Sequence, residues 1–118
     1  MTDRELLEAA AKAAEIELGE WDSFMEAFWL KCDHPVIWNP LTDDGDALRL
    51  ACKLSISIDH NRAGDQQRYV VAERPGCEGC FAPVCAVEDD IEDESHRASA
   101  TRRAIVRAAA EIEKEPQP

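Results

Sequence analysis

The stretch Trp38-Asn39-Pro40-Leu41-Thr42-Asp43-Asp44-Gly45-Asp46-Ala47-Leu48-Arg49-Leu50-Ala51-Cys52-Lys53-Leu54 leaves the chain few local conformations. Pro40 fixes its own φ and pushes Asn39 toward extended backbone, so Trp38 and Asn39 read as the end of a strand. A helix must begin just after them. Thr42 or Asp43 can accept a free amide of its first turn, and Asp43, Asp44 and Asp46 put negative charge where the helix dipole favours it. Ala47, Leu50, Ala51 and Leu54 recur at helical spacing, widened by Leu48, with Arg49 and Lys53 outside the stripe. One face is therefore core. The acids lack the alternating carboxylates and downstream Glu of a calcium loop, and capping is the reading adopted for them.

At 118 residues the chain is sized for one domain with a modest core, expected over residues 1–115 with a flexible tail at 116–118. A 45% hydrophobic and 32% charged composition belongs to a folded chain. No basic N-terminal region precedes an apolar run, and no segment reaches the ~18–20 apolar residues of a membrane span, so a cytoplasmic protein is expected. Five cysteines without a secretory signal point to reduced thiols.

The net charge of −12 argues against direct nucleic-acid binding, which needs a basic face. The charge is uneven. Residues 1–46 hold twelve acids and three bases, whereas residues 47–87 are nearly balanced. Glu88, Asp89, Asp90, Glu92, Asp93 and Glu94 surround Ile91, and residues 95–118 are slightly basic. These surfaces serve solubility, or alternatively dock on a basic partner and occupy its nucleic-acid site. The run 88–94 is expected to be a solvated loop and is the candidate partner-binding segment.

Along the chain, Thr2 with Glu5 forms a capping box, and Leu6, Leu7, Ala10, Ala13 and Ala14 make a small-residue helical stripe ending near Ala14 or Glu15. A short strand is expected at 16–18. Residues 21–32 fit either period, with strand preferred. They hold two of the three tryptophans and two of the three phenylalanines, read as core bulk or, alternatively, as an exposed aromatic patch for a partner. Residues 55–59 and 68–73 alternate around a polar turn, which predicts a hairpin. Residues 81–87 predict a further strand, at an edge because of Pro83. The last helix is expected from about Ser95 to Glu113, with Ile105, Val106, Ala109 and Ile112 inward, Arg102, Arg103 and Arg107 outside, and Pro116 ending it. Those arginines read as partners for the preceding acids, phosphate binding being disfavoured by the net charge. The whole is an α+β fold: a small antiparallel sheet packed with about three helices in an αββαββα-like sandwich.

Cys77-Glu78-Gly79-Cys80 is the one metal-like constellation. Cys77 and Cys80 would share an ion, Cys85 would be a third ligand, and Cys32, His34, Cys52 or His60 a fourth. Without a second such pair, reduced surface thiols are the favoured reading. No resident cofactor is expected, and zinc and a redox-labile pair are the alternatives. The loop lacks the upstream His-x-Glu of zinc deaminases and the following helix of thioredoxin-like sites. No phosphate loop, nucleophile elbow or zincin motif occurs, so no enzyme is expected.

Together with residues 3–14 and Ala100-Thr101-Arg102-Arg103-Ala104-Ile105-Val106-Arg107-Ala108-Ala109-Ala110, the Trp38–Leu54 stretch resembles small uncharacterised proteins of tailed phages and prophages. More loosely, the order of elements is similar to the phage ABA sandwich domain. The resemblance covers about a third of the chain and implies a small sheet between helices. It brings no catalytic residues. With it, the acidity and the missing motifs point to a phage or prophage accessory protein that binds a host or phage protein. A host-factor inhibitor of anti-defence (anti-CRISPR-like) type, a zinc-stabilised module and a cryptic enzyme are the narrower alternatives.

Overall fold

A computed structural model describes residues 1–62, 64–79 and 82–114. The elements run α1 (Asp3–Ala13), β1 (Leu18–Asp22), β2 (Ala27–Leu30), β3 (Ile37–Trp38), α2 (Asp44–Leu54), β4 (Ser57–His60), β5 (Tyr69–Arg74), β6 (Val84–Asp89) and α3 (Glu94–Lys114). The strands form two antiparallel three-stranded meanders, β1-β2-β3 and β4-β5-β6, so the fold is α+β with three helices. A helix followed by three strands thus occurs twice before α3 closes the fold.

The helix starts follow from their caps. Thr2 Oγ1 accepts the Glu5 amide at 3.2 Å, and Glu5 Oε1 accepts from the Thr2 amide at 3.3 Å. The Thr2 hydroxyl, donating to Glu5 Oε1 at 3.0 Å, and then the Thr2 amide hold the Glu5 carboxyl below its ordinary pKa. At α2 the cap is Asp43 rather than Thr42, its Oδ2 accepting the Asp46 amide at 2.8 Å. Both short helices end alike. Ile16 and Ile56 donate their amides back to Ala11 and Ala51, across a left-handed residue, Glu15 in one case and Ser55 in the other. Ser55 is therefore a helix cap, and the strand expected from 55 begins at Ser57. A non-glycine residue in this conformation is strained, and Ser55 is exposed. Ser55→Gly is expected to raise stability by about 0.5–1 kcal/mol, measured by urea unfolding. An unchanged or lower midpoint would contradict the strain.

Residues 21–32 resolve into two strands around a turn, and the strand expected at 16–18 starts only at Leu18. The β1–β2 register slips by one residue between Leu18 and Trp21. Gly19 sits in that bulge, where a Cβ would lie 3.1 Å from the Trp29 carbonyl oxygen. Trp21 meets Phe28 edge-on at 4.8 Å, and the Arg4 guanidinium lies 5.2 Å from the Trp21 ring, tying α1 to the first sheet.

α3 is the centre of the molecule, packing on α1, α2, β5 and β6. Val70, Ala72, Val84 and Ala86 form the buried face of the second sheet, while Cys85 and Val87 on its other face are exposed. One core cluster runs from Leu6 to Ile112 and is rich in alanine along α1 and α3. Small side chains let helices approach closely, which is why so short a chain can bury a helix as long as α3. The three arginines beside the stripe are each committed to another element. Arg102 donates to the Leu41 carbonyl and to Asp44, Arg103 to Asp3, and Arg107 to the Val87 carbonyl and Glu88. The chain end beyond Lys114, including the expected break at Pro116 and the tail, lies outside the described residues.

Candidate functional site

The acidic run is a loop only over residues 90–93. Glu88 and Asp89 belong to β6, opposite Val70 and Tyr69, and Glu94 opens α3. Ile91 between them is buried, its amide reaching the Arg68 carbonyl. Asp93 caps α3, its Oδ1 accepting the His96 amide at 2.8 Å, and the Glu92 amide donates to His96 Nδ1. Charge counting missed this because the Arg107 guanidinium takes up the Glu88 carboxylate and helix capping takes up that of Asp93. Glu88 is half-buried, while Asp89, Asp90, Glu92, Asp93 and Glu94 are exposed.

Of the cysteine set, Cys77 and Cys85 are exposed, and Cys80 lies outside the described residues. Among the described residues no group of three or more His, Cys, Asp or Glu side chains is placed to hold a metal ion. Cys32 and Cys52 are exposed as well.

Two features are more specific than either expected site. The first is the tip of the β1–β2 hairpin. Phe24 is 93% exposed and Met25 51% exposed. An aromatic side chain in water ordinarily belongs to a loop free to fold over it, yet this turn is fixed at both ends. Asp22 Oδ1 accepts the amides of Phe24 and Met25, both at 2.9 Å. The Glu26 carbonyl accepts from the side-chain amide of buried Asn39 at 3.2 Å, with Glu26 left-handed at φ 51°. Asn39 is itself anchored, its amide donating to Asp46 Oδ2 at 3.0 Å and its Oδ1 accepting from Leu41. From Glu15 to Glu26 the chain carries five acids and no base, and Glu15, Glu17, Glu20 and Glu26 are exposed. The hairpin is thus an acidic arm with a fixed apolar tip. The aromatic density of 21–32 pointed to this segment; Trp21, Trp29 and Phe28 are at least half-buried, and Phe24 alone of the four is exposed.

The second feature is a groove of about 500 Å³ between α2, β4 and α3. Its apolar lining is Ala47, Leu48, Ile58, Ala98 and Ile105, and its polar lining is Asp44, His60, Glu94, Arg97, Thr101 and Arg102. Leu48, which widened the helical stripe, is 60% exposed on this groove rather than in the core. Arg97 spans from α3 to the ends of β4 and β5. Its Nη1 donates to His60 Nδ1 at 3.0 Å and to the Tyr69 carbonyl at 3.2 Å, and its Nη2 donates to Asn61 Oδ1 at 2.6 Å.

The polar groups of this groove do not form a nucleophile with a base. His60 Nδ1 faces a guanidinium, which only donates, and the Thr101 hydroxyl donates to the Arg97 carbonyl. No helix among the described residues is long and apolar enough to cross a membrane. Compared with protein-family models, curated proteins and solved structures, the chain matches none.

Proposed function

We propose that this protein acts without catalysis, by docking the Phe24–Met25 tip of its acidic hairpin into an apolar pocket with a basic rim on another protein. The observation that carries the reading is Phe24, 93% exposed on a turn pinned by Asp22 and Asn39. Single exposed apolar side chains are ordinary on a surface; two adjacent ones on a preorganised turn lose little entropy when they bind, which is how aromatic anchors contribute most of an interface's energy. The five surrounding acids supply steering and register toward a basic face. Proteins that bind nucleic acid carry such faces, and the phage-like stretches make a host factor of that kind the first candidate, its nucleic-acid site being what the acidic arm would occupy.

A photo-crosslinking phenylalanine analogue placed at position 24 tests this in cells of the native host. The expected result is one discrete adduct, suppressed by ~0.5 M salt in lysate and absent when the same analogue stands at Val36, in the β2–β3 connection at the opposite end of β2 from the tip. Phe24→Ser should abolish co-purification of the adduct partner and change stability by less than about 0.5 kcal/mol. No adduct at position 24 above that at position 36 would sink the reading.

A further inference from the structure

We propose that the α2–β4–α3 groove is a binding site for an amphiphilic monocarboxylate, with Arg97 holding the carboxylate and the apolar floor holding the tail. The inference is independent of the hairpin tip. Arg97 is half-buried, and its three hydrogen bonds go to neutral acceptors: an imidazole nitrogen, a backbone carbonyl and an amide oxygen. Among the described residues no carboxylate lies within ion-pairing distance of it, although the chain carries almost two acids for each base. In contrast, Arg102 on the same groove is matched to Asp44 at 2.6 Å.

A guanidinium has five N–H donors, and three are used here. Nε–H and one Nη2–H are left as charged donors for a ligand carboxylate. The bonds to His60, Tyr69 and Asn61 fix the plane of the guanidinium, so it does not have to be ordered when a ligand arrives. Beside it, Ala47, Leu48, Ile58, Ala98 and Ile105 provide a surface with no polar atoms of their own side chains to satisfy. The volume of about 500 Å³ lies within the ~300–1,000 Å³ usual for small-ligand sites. An acid head beside an apolar tail is the chemistry this combination fits: a medium-chain or arylalkyl carboxylate. The other charges on the groove are Asp44, neutralised by Arg102, and Glu94, exposed on the rim with the same sign as the ligand. Glu94 therefore opposes binding and sets its strength.

The test titrates the full chain with decanoate and with decanamide, which has the same tail and no charge, following the methyl signals of Leu48, Ile58 and Ile105 by NMR. Decanoate should bind at least ~10-fold more tightly than decanamide, with shifts concentrated on those methyls. Glu94→Gln, a surface change that leaves the Arg97 bonds intact, should tighten decanoate by about 2–5-fold and leave decanamide unchanged. Leu48→Ser should weaken both ligands together. Equal affinities for acid and amide, shifts elsewhere on the protein, or an unaltered decanoate affinity in Glu94→Gln would each overturn the assignment.

Discussion

Leu50→Ala is expected to cost about 3–4 kcal/mol, a large fraction of the stability of a domain this size. Leu50 is among the largest fully buried side chains and lies on the face of α2 that meets α3. Removing its isobutyl group loses the transfer free energy of the missing carbons and leaves a cavity. The neighbours are poorly able to fill it. The core cluster to which Leu50 belongs is rich in alanine, which has no side-chain torsions with which to collapse inward, so the cost should lie toward the upper part of the usual range. Chemical unfolding with a two-state fit measures it. As a control, Leu48→Ala on the same helix removes the same atoms from a half-open position and should cost less than about 1 kcal/mol. Similar losses for the two would mean that α2 is rotated from the orientation described.

Asp46→Ala is expected to cost about 2–3 kcal/mol, measured in the same way. The carboxylate is buried and accepts from two groups, the Asn39 amide at 3.0 Å and Arg49 Nη2 at 2.7 Å. Its loss leaves the buried Asn39 amide without a partner and frees the segment that holds the Glu26 carbonyl. Asp46→Asn keeps one acceptor and should recover about half of the loss. By comparison, Asp44 is largely exposed, and its bond to Arg102 is a surface ion pair, so Asp44→Asn should cost less than about 1 kcal/mol. If Asp44 mattered more than Asp46, the buried link between strand end and helix start would not be the element that fixes this turn. Asp46→Ala should also weaken any adduct formed at position 24, because it loosens the turn without touching Phe24.

The helices were legible in the sequence because their determinants are local. Thr2 with Glu5 and Asp43 with Asp46 are pairs three residues apart, and the buried side of α3 repeats at helical spacing. The alternation at 68–73 likewise showed β5, with Val70 and Ala72 inward. The hairpin tip was not legible. Phe24 and Phe28 are four apart and both periods accommodate them; Asp22 and Ser23 are turn residues, and the choice is made by Asp22 accepting two amides and by Glu26 turning left-handed without a Gly or Asn to mark that position. The acidic run failed for a different reason. Its density of charge implied solvent, but pairing with β5 and the Arg107 guanidinium, supplied from α3, hold Glu88 in a strand. Contacts between residues so far apart in sequence leave no trace in a local window. The groove is the same case: Arg97 finds Asn61 and His60 across more than thirty positions.

The position of α3 in the chain has a consequence for synthesis. Every other helix, and the inner face of the second sheet, is completed by α3, which leaves the ribosome after all of them. Until α3 emerges, the faces of α1, α2 and the second sheet that pack against it stay open, so a nascent chain that ends short of α3 carries exposed apolar surface. A net charge of −12 acts in that interval as well as in the folded state, since like charge keeps neighbouring chains apart while the surface awaiting α3 is open.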